Sequence, residues 1–179
     1  MFDEYNICPY TGLRSFTEEE SIYFKGRDEH ILEATAQLQR NKFLMVTGAS
    51  GDGKSSIVYA GIVPNARAGF LKSTYTNWNI ADFRPERSPF NNLCHSLDKA
   101  LGINNLNTVA SELQHGFSAL IDLYKSSSSY IDVTSNDYLN SSEEDRKKMS
   151  LESANLLIIV DQFEEFFTNP ENYTTHVSN

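Results

Sequence analysis

The stretch Thr47-Gly48-Ala49-Ser50-Gly51-Asp52-Gly53-Lys54-Ser55-Ser56 follows directly on the apolar run Phe43-Leu44-Met45-Val46. Its spacing is G-x-x-x-x-G-K-[ST], the form of a phosphate-binding loop set where a strand gives way to a helix. Glycines let the backbone take positive φ and curl, so that successive N–H groups point inward at phosphate oxygens. The helix that follows adds the positive end of its dipole. Lys54 is placed to reach the β- and γ-phosphates, and Ser55 to ligate Mg²⁺, which prefers oxygen ligands and keeps several waters. The loop predicts a nucleotide as ligand, with Gly48, Ser50, Gly51, Asp52, Gly53, Lys54, Ser55 and Ser56 as candidate contacts.

A second nucleotide motif lies near the far end. Leu156-Leu157-Ile158-Ile159-Val160-Asp161 is an unbroken apolar run rich in β-branched residues, the pattern of a strand buried on both faces of a parallel sheet, and it ends in a carboxylate. An Asp at such a strand tip is where a P-loop enzyme holds the water shell of its metal, so Asp161 joins Ser55 as a candidate metal ligand. Gln162, Phe163, Glu164 and Glu165 follow. One of the two glutamates is a candidate to polarise a water aimed at the γ-phosphate, but only one of two adjacent side chains can point there. The sequence does not choose between them, and both also read as the solvated first turn of a helix favoured by its dipole.

Composition limits the partners. Lys+Arg number 15 against 24 Asp+Glu, a net charge of −9. Such a field repels a nucleic-acid backbone, and no basic stripe runs along the chain, so no nucleic-acid partner is predicted. With 40% hydrophobic residues the chain can build a core of single-domain size. No run approaches ~20 apolar residues, and Met1-Phe2-Asp3-Glu4-Tyr5 lacks a basic-then-apolar leader, so a cytoplasmic protein without a membrane partner is expected. Cys8 and Cys94 lack metal-type spacing and are expected as reduced thiols. His30, His95, His115 and His176 share no ligand spacing either.

The scaffold follows from periodicity and punctuation. Thr17-Glu18-Glu19-Glu20 has the capping-box form and predicts a short helix through Phe24, stopped by Gly26. A second helix begins behind Asp28 and carries Ile31, Leu32 and Leu38 to about Arg40. Phe43–Val46 is the expected first core strand, and the helix after the loop is expected to end at Pro64. Trp78-Asn79-Ile80 marks a second strand. Ser88-Pro89 starts a helix with Leu93, Leu97 and Leu101 on one face and Gly102 as its stop. A longer helix is expected from Val109 to Tyr124, with Val109, Leu113, Phe117, Leu120, Ile121 and Tyr124 as core. The serine- and charge-rich segment 126–150 has too few apolar residues to offset its ordering entropy and is expected to be a mobile insertion.

Five motifs occur in order: Cys8-Pro9-Tyr10-Thr11-Gly12-Leu13-Arg14-Ser15-Phe16; Tyr23-Phe24-Lys25-Gly26-Arg27-Asp28; Gly48 to Ser56 with Ala60-Gly61-Ile62-Val63-Pro64; Trp78 with Phe83-Arg84-Pro85; and Asp161-Gln162-Phe163-Glu164-Glu165-Phe166-Phe167. In this the chain resembles the novel STAND group of P-loop ATPases from Pro9 to Phe167. It departs from the group's pattern at Thr11, Ser15, Asp52 and Glu86, the last standing where the group has a glycine, and in the serine-rich insertion.

The resemblance implies an α/β fold, the three-layer α/β/α P-loop NTPase with a mostly parallel sheet. Residues 1–41 would form a helical segment bearing an adenine-side motif, Phe24, Gly26 and Arg27, and 42–179 the P-loop core. The motif Phe24–Arg27 also reads as a helix stop followed by a surface arginine, and Arg84 as a group for phosphate, for a neighbouring subunit or for an ion pair. The sheet is expected to be cut short after the strand that ends in Asp161, the Walker B strand of such ATPases, with hydrolysis arising only in a longer context. The implied activity is a regulated ATPase switch in signalling or anti-phage defence: ADP holds a closed state, and a signal to downstream sensor repeats permits ATP exchange, oligomerisation and effector activation. The alternative is a catalytically inactive nucleotide-binding or interaction scaffold, one that binds nucleotide weakly or not at all. A small-molecule kinase would need an arginine-bearing lid and an acceptor site, and neither cluster is evident.

Overall fold

The computed structural model describes Gly12 and residues 14–169. Cys8, the Pro-Tyr-Thr of the first motif and His176 lie outside the described residues. The chain divides into two compact units, Met1–Lys72 and Ser73–Asn179, so the phosphate loop groups with the N-terminal helical segment.

In the first unit the capping-box arm forms, with Thr17 N–H donating to Glu20 Oε2 at 3.0 Å, but only a 3-10 turn over Ser21–Tyr23 follows it. Helix α1 spans Asp28–Asn41 and ends where Lys42 turns left-handed at φ 56°. Ile31 and Leu38 are half-buried on it, whereas Leu32, expected inside, is exposed.

Phe43–Val46 is a correction. Phe43 and Met45 are exposed while Leu44 and Val46 are half-buried, the alternation of a strand. Yet the segment has no ladder partner among the described residues, whose sheet contains two strands from the second unit. The pattern supplies a face, and a strand also needs a neighbour's N–H and C=O groups.

The helix after the loop also differs from expectation, because it passes through Pro64. It runs as α2 (Lys54–Ile57), a π turn over Val58–Ile62 and α3 (Val63–Arg67). A proline clashes with the carbonyl four residues earlier and offers no N–H. The wider π turn placed immediately before Pro64 absorbs that clash, and Pro64 then sits in the first turn of α3, where its missing N–H is tolerated.

The second unit is built on β1 (Asn77–Phe83) and β2 (Ala154–Val160), which pair in parallel from Asn77↔Ala154 to Phe83↔Val160. Parallel strands require a crossover, and here it is helical. Helix α4 (Pro89–Leu101) starts with its proline in the first turn and stops at Gly102, as expected. The predicted long helix is two, α5 (Leu106–Glu112) and α6 (Ala119–Ser126), because Gly116 at φ 119° turns the chain between them. Phe117 is consequently fully exposed and Ile121 more than half exposed, against the core role expected of both. The core comprises Ala81, Cys94, Leu97, Leu101, Val109 and Leu123.

The segment expected to be mobile carries α7 (Asn136–Asn140) and α8 (Glu143–Glu152), each with a serine cap accepting a backbone N–H. Its start is tied to the second unit. The buried Tyr75 hydroxyl donates to Ile131 O and accepts Ile131 N–H at 2.9 Å, and Asn79 Nδ2 donates to Ser129 Oγ at 2.8 Å. Buried Asn155 fixes the ladder's entry, donating to Tyr75 O at 2.7 Å and Asn77 O at 3.0 Å.

Candidate nucleotide site

The phosphate loop bends where glycine is required: Gly51 has φ 88° and Gly53 φ 79°, conformations that cost a residue with Cβ roughly 1–2 kcal/mol. The reversal brings Lys54 back over the loop it follows. Its Nζ donates to Gly48 O at 3.0 Å and to Ala49 O at 2.9 Å. An ammonium has three donors, and two of them are bonded to carbonyls of the loop.

Asp52 closes the loop on itself, its Oδ2 accepting Ala49 N–H at 2.7 Å. Gly48 is needed for this, since a Cβ there would lie 2.9 Å from that same oxygen. Ser50 and Gly51 are exposed at the tip, and Ser55 is half-buried in the first turn of α2. Ser56 is buried, and its Oγ accepts Phe16 N–H at 3.1 Å, so the last residue of the motif anchors the N-terminal segment.

The segment Phe24–Arg27 meets the loop within the same unit. Gly26, at φ 78°, turns the chain so that Arg27 caps α1, and Arg27 Nη2 donates to Asp52 O at 3.2 Å. Phe24 packs against Phe16 with ring centroids 5.3 Å apart. Helix α1 reaches the π turn at Gly61, where an added Cβ would lie 2.7 Å from Ile31 Cγ1.

In the second unit the parallel register sets the ends of β1 and β2 side by side, and Asp161 N–H extends the ladder to Phe83 O at 3.0 Å. Arg84 meets Asp161 there. Its Nε and Nη2 donate to Asp161 Oδ2 at 3.0 and 2.8 Å, so of the readings open for Arg84 the ion pair is the one formed. Gln162, at φ 56°, then swings the chain away from the strand direction into α9 (Glu165–Thr168). The two glutamates part company at this turn. Glu165 Oε2 accepts Glu86 N–H at 2.9 Å, whereas Glu164 is exposed.

Sequence reasoning missed the clamp on Glu86. Its φ is 46°, its N–H is held by Glu165, and its C=O accepts Asn169 Nδ2 at 2.7 Å. A signal was present, since this is the position where the resembling group carries glycine, the residue a left-handed conformation favours.

Among the described residues no three His, Cys, Asp or Glu gather as a metal cage. Ser55 lies in the first turn of α2 in the first unit, and Asp161 follows the end of β2 in the second. No described helix is long and apolar enough to cross a membrane.

A glycine loop gripping its own lysine, followed by a helix, and a parallel strand ending in a carboxylate are compatible with a P-loop NTPase-like fold. More narrowly, the chain belongs to the Novel STAND NTPase 1 family, whose model matches residues 9–177. It is in general terms a nucleotide-binding signalling module. No curated protein and no solved structure matches the chain.

Proposed function

We propose that this chain is the ATP- and ADP-binding module of a STAND-type ATPase switch, working in bacterial signalling or anti-phage defence. The observation that carries the reading is Lys54 Nζ fixed on Gly48 O and Ala49 O above the glycine curve. In this reading the loop backbone and Lys54 hold the phosphates, and Phe24, Gly26 and Arg27 line the base. Bound Mg·ATP supplies the electrophilic phosphoryl group and neutralises its developing charge. Ser55 and Asp161 are the oxygen ligands toward the metal and its waters. Of the two glutamates Glu164 is the one assigned to orient water, because Glu165 is engaged with Glu86.

Nucleotide exchange, communicated to downstream sensor and effector domains, would then drive oligomerisation. A nucleotide-binding scaffold without hydrolysis is the second reading, favoured by the Arg84 bonds that engage Asp161. Calorimetry on the chain tests the first proposal. Lys54→Ala removes a charge-assisted phosphate contact of roughly 1.5–3 kcal/mol, so ADP affinity falls about ten- to hundredfold. Unchanged affinity in that variant would remove the assignment. Asp161→Asn separates the readings: loss of Mg²⁺-dependent turnover with metal-free ADP binding retained supports the switch, and equal loss of both makes Asp161 structural.

A further inference from the structure

One residue in the phosphate loop opposes phosphate. Between Thr47 and Ser56 the formal charges are one lysine, Lys54, and one aspartate, Asp52. Both act on a single peptide unit. The carbonyl of Gly48 accepts Lys54 Nζ at 3.0 Å, and the amide N–H of Ala49 in the same unit donates to Asp52 Oδ2 at 2.7 Å. Ammonium and carboxylate therefore lie no more than about 8 Å apart across one peptide, close to the screening length of about 8 Å in physiological salt. Arg27, on the base side, adds its charge through the Asp52 carbonyl at 3.2 Å. With Asp52 the loop presents an anion with one positive charge fewer than Lys54 and Arg27 would offer by themselves.

The penalty falls unequally on different forms of the ligand. Repulsion from a fixed carboxylate scales with ligand charge, about four negative charges for metal-free ATP and about two once Mg²⁺ is chelated. We propose that Asp52 biases nucleotide binding by this loop toward the divalent-cation complex, discriminating against metal-free polyphosphate. This inference rests on the nucleotide-binding reading above. Asp52 acts through charge, and its hydrogen bond to Ala49 only fixes where the charge sits.

The test is calorimetric titration of the chain with ATP, in Mg²⁺ and in a metal chelator, for the wild type, Asp52→Asn, Asp52→Ser and Lys54→Ala. Asn and Ser each keep an oxygen for the Ala49 N–H while removing the charge, and circular dichroism reports whether each variant is folded. The two substitutions should tighten metal-free ATP about tenfold and Mg·ATP about threefold, so the wild-type preference for the metal complex shrinks about threefold. Equal changes in both conditions, or none, would overturn the inference and leave Asp52 as a loop brace. Weakened Mg·ATP with unaltered metal-free binding would also overturn it, by making Asp52 a metal ligand. Failure of the wild type to bind nucleotide in either condition, with Lys54→Ala indistinguishable from it, would overturn the nucleotide reading itself.

Discussion

Gly61 is the point at which α1 is set against the helix that follows the phosphate loop, and its substitution has a calculable cost. A Cβ there would stand 2.7 Å from Ile31 Cγ1, 2.9 Å from Cδ1 and 3.2 Å from Cγ2, against an ordinary carbon contact of about 3.5–4.0 Å. Both γ carbons spring from Ile31 Cβ, and a β-branched side chain in a helix has essentially one χ1 rotamer, so rotation does not clear the overlap. Helix α1 must shift instead. Overpacking of this kind costs roughly 1–3 kcal/mol, and replacing a helical glycine by alanine returns about 0.8–1 kcal/mol, leaving Gly61→Ala destabilised by roughly 1 kcal/mol. For a chain of this length that is about 2–4 °C in Tm. The discriminating experiment is the same substitution in an Ile31→Ala background, where the overlap is gone and only the propensity gain remains, so the sign reverses. A double-mutant cycle by thermal and denaturant melts should give a coupling of roughly 1–3 kcal/mol. Because α1 follows directly on Arg27, which bonds Asp52, ADP affinity should fall in Gly61→Ala and return in the double variant. Equal shifts in both backgrounds would refute the steric argument.

Two further outcomes follow from the second unit. Glu86→Gly should stabilise the chain by about 0.5–1 kcal/mol in a denaturant melt, because relief of a left-handed conformation costing about 1–2 kcal/mol outweighs the extra backbone entropy of glycine. A destabilised variant would mean that the side chain does more than tolerate its φ. The Tyr124 hydroxyl, which donates to Ala154 O at 2.9 Å, is pushed up to about 12, first by burial and then by Tyr75 and Tyr130. A group raised in the folded state contributes stability that is whole below its unfolded value of about 10 and is lost as pH climbs from there through about 12. Stability measured across that window should decline more steeply in the wild type than in Tyr124→Phe, and parallel declines would contradict the assignment.

What the sequence made legible was local. The Ser88-Pro89 start and Gly102 stop of α4 depend on φ preferences and a missing N–H, and both lie where expected. Asp161 stands at the end of a parallel strand because an unbroken β-branched run has few other homes. The failures were contextual. Pro64 did not end its helix because a π turn took up the clash, and nothing in a propensity argument signals a π turn. Val109 to Tyr124 kept helical spacing across Gly116, whose φ of 119° breaks the helix while leaving the period intact. Phe43–Val46 has strand alternation without a partner among the described residues, since pairing belongs to two segments and pattern to one. Within the site, the loop was readable from spacing, whereas the different surroundings of Glu164 and Glu165 needed the left-handed turn at Gln162 and the N–H of Glu86.

Those contacts also account for why motifs so far apart in sequence occur together. In the first unit the phosphate loop is bonded to the motif around Arg27 through Asp52, to Phe16 of the first motif through Ser56, and is followed by a glycine shaped to receive Ile31. In the second unit Phe83-Arg84-Pro85-Glu86 and Asp161 to Glu165 are separated by nearly eighty residues. They are nonetheless joined at the parallel strand ends by the Arg84 and Glu86 bonds. The motifs thus resolve into two groups, one around Lys54 and the phosphate loop and one around Asp161 at the strand ends. A substitution in either group acts first on its own partners: Glu86 is tied to Asp161 through one turn of chain, and Gly61 to Lys54 through one helix. Stability effects should therefore cluster by group.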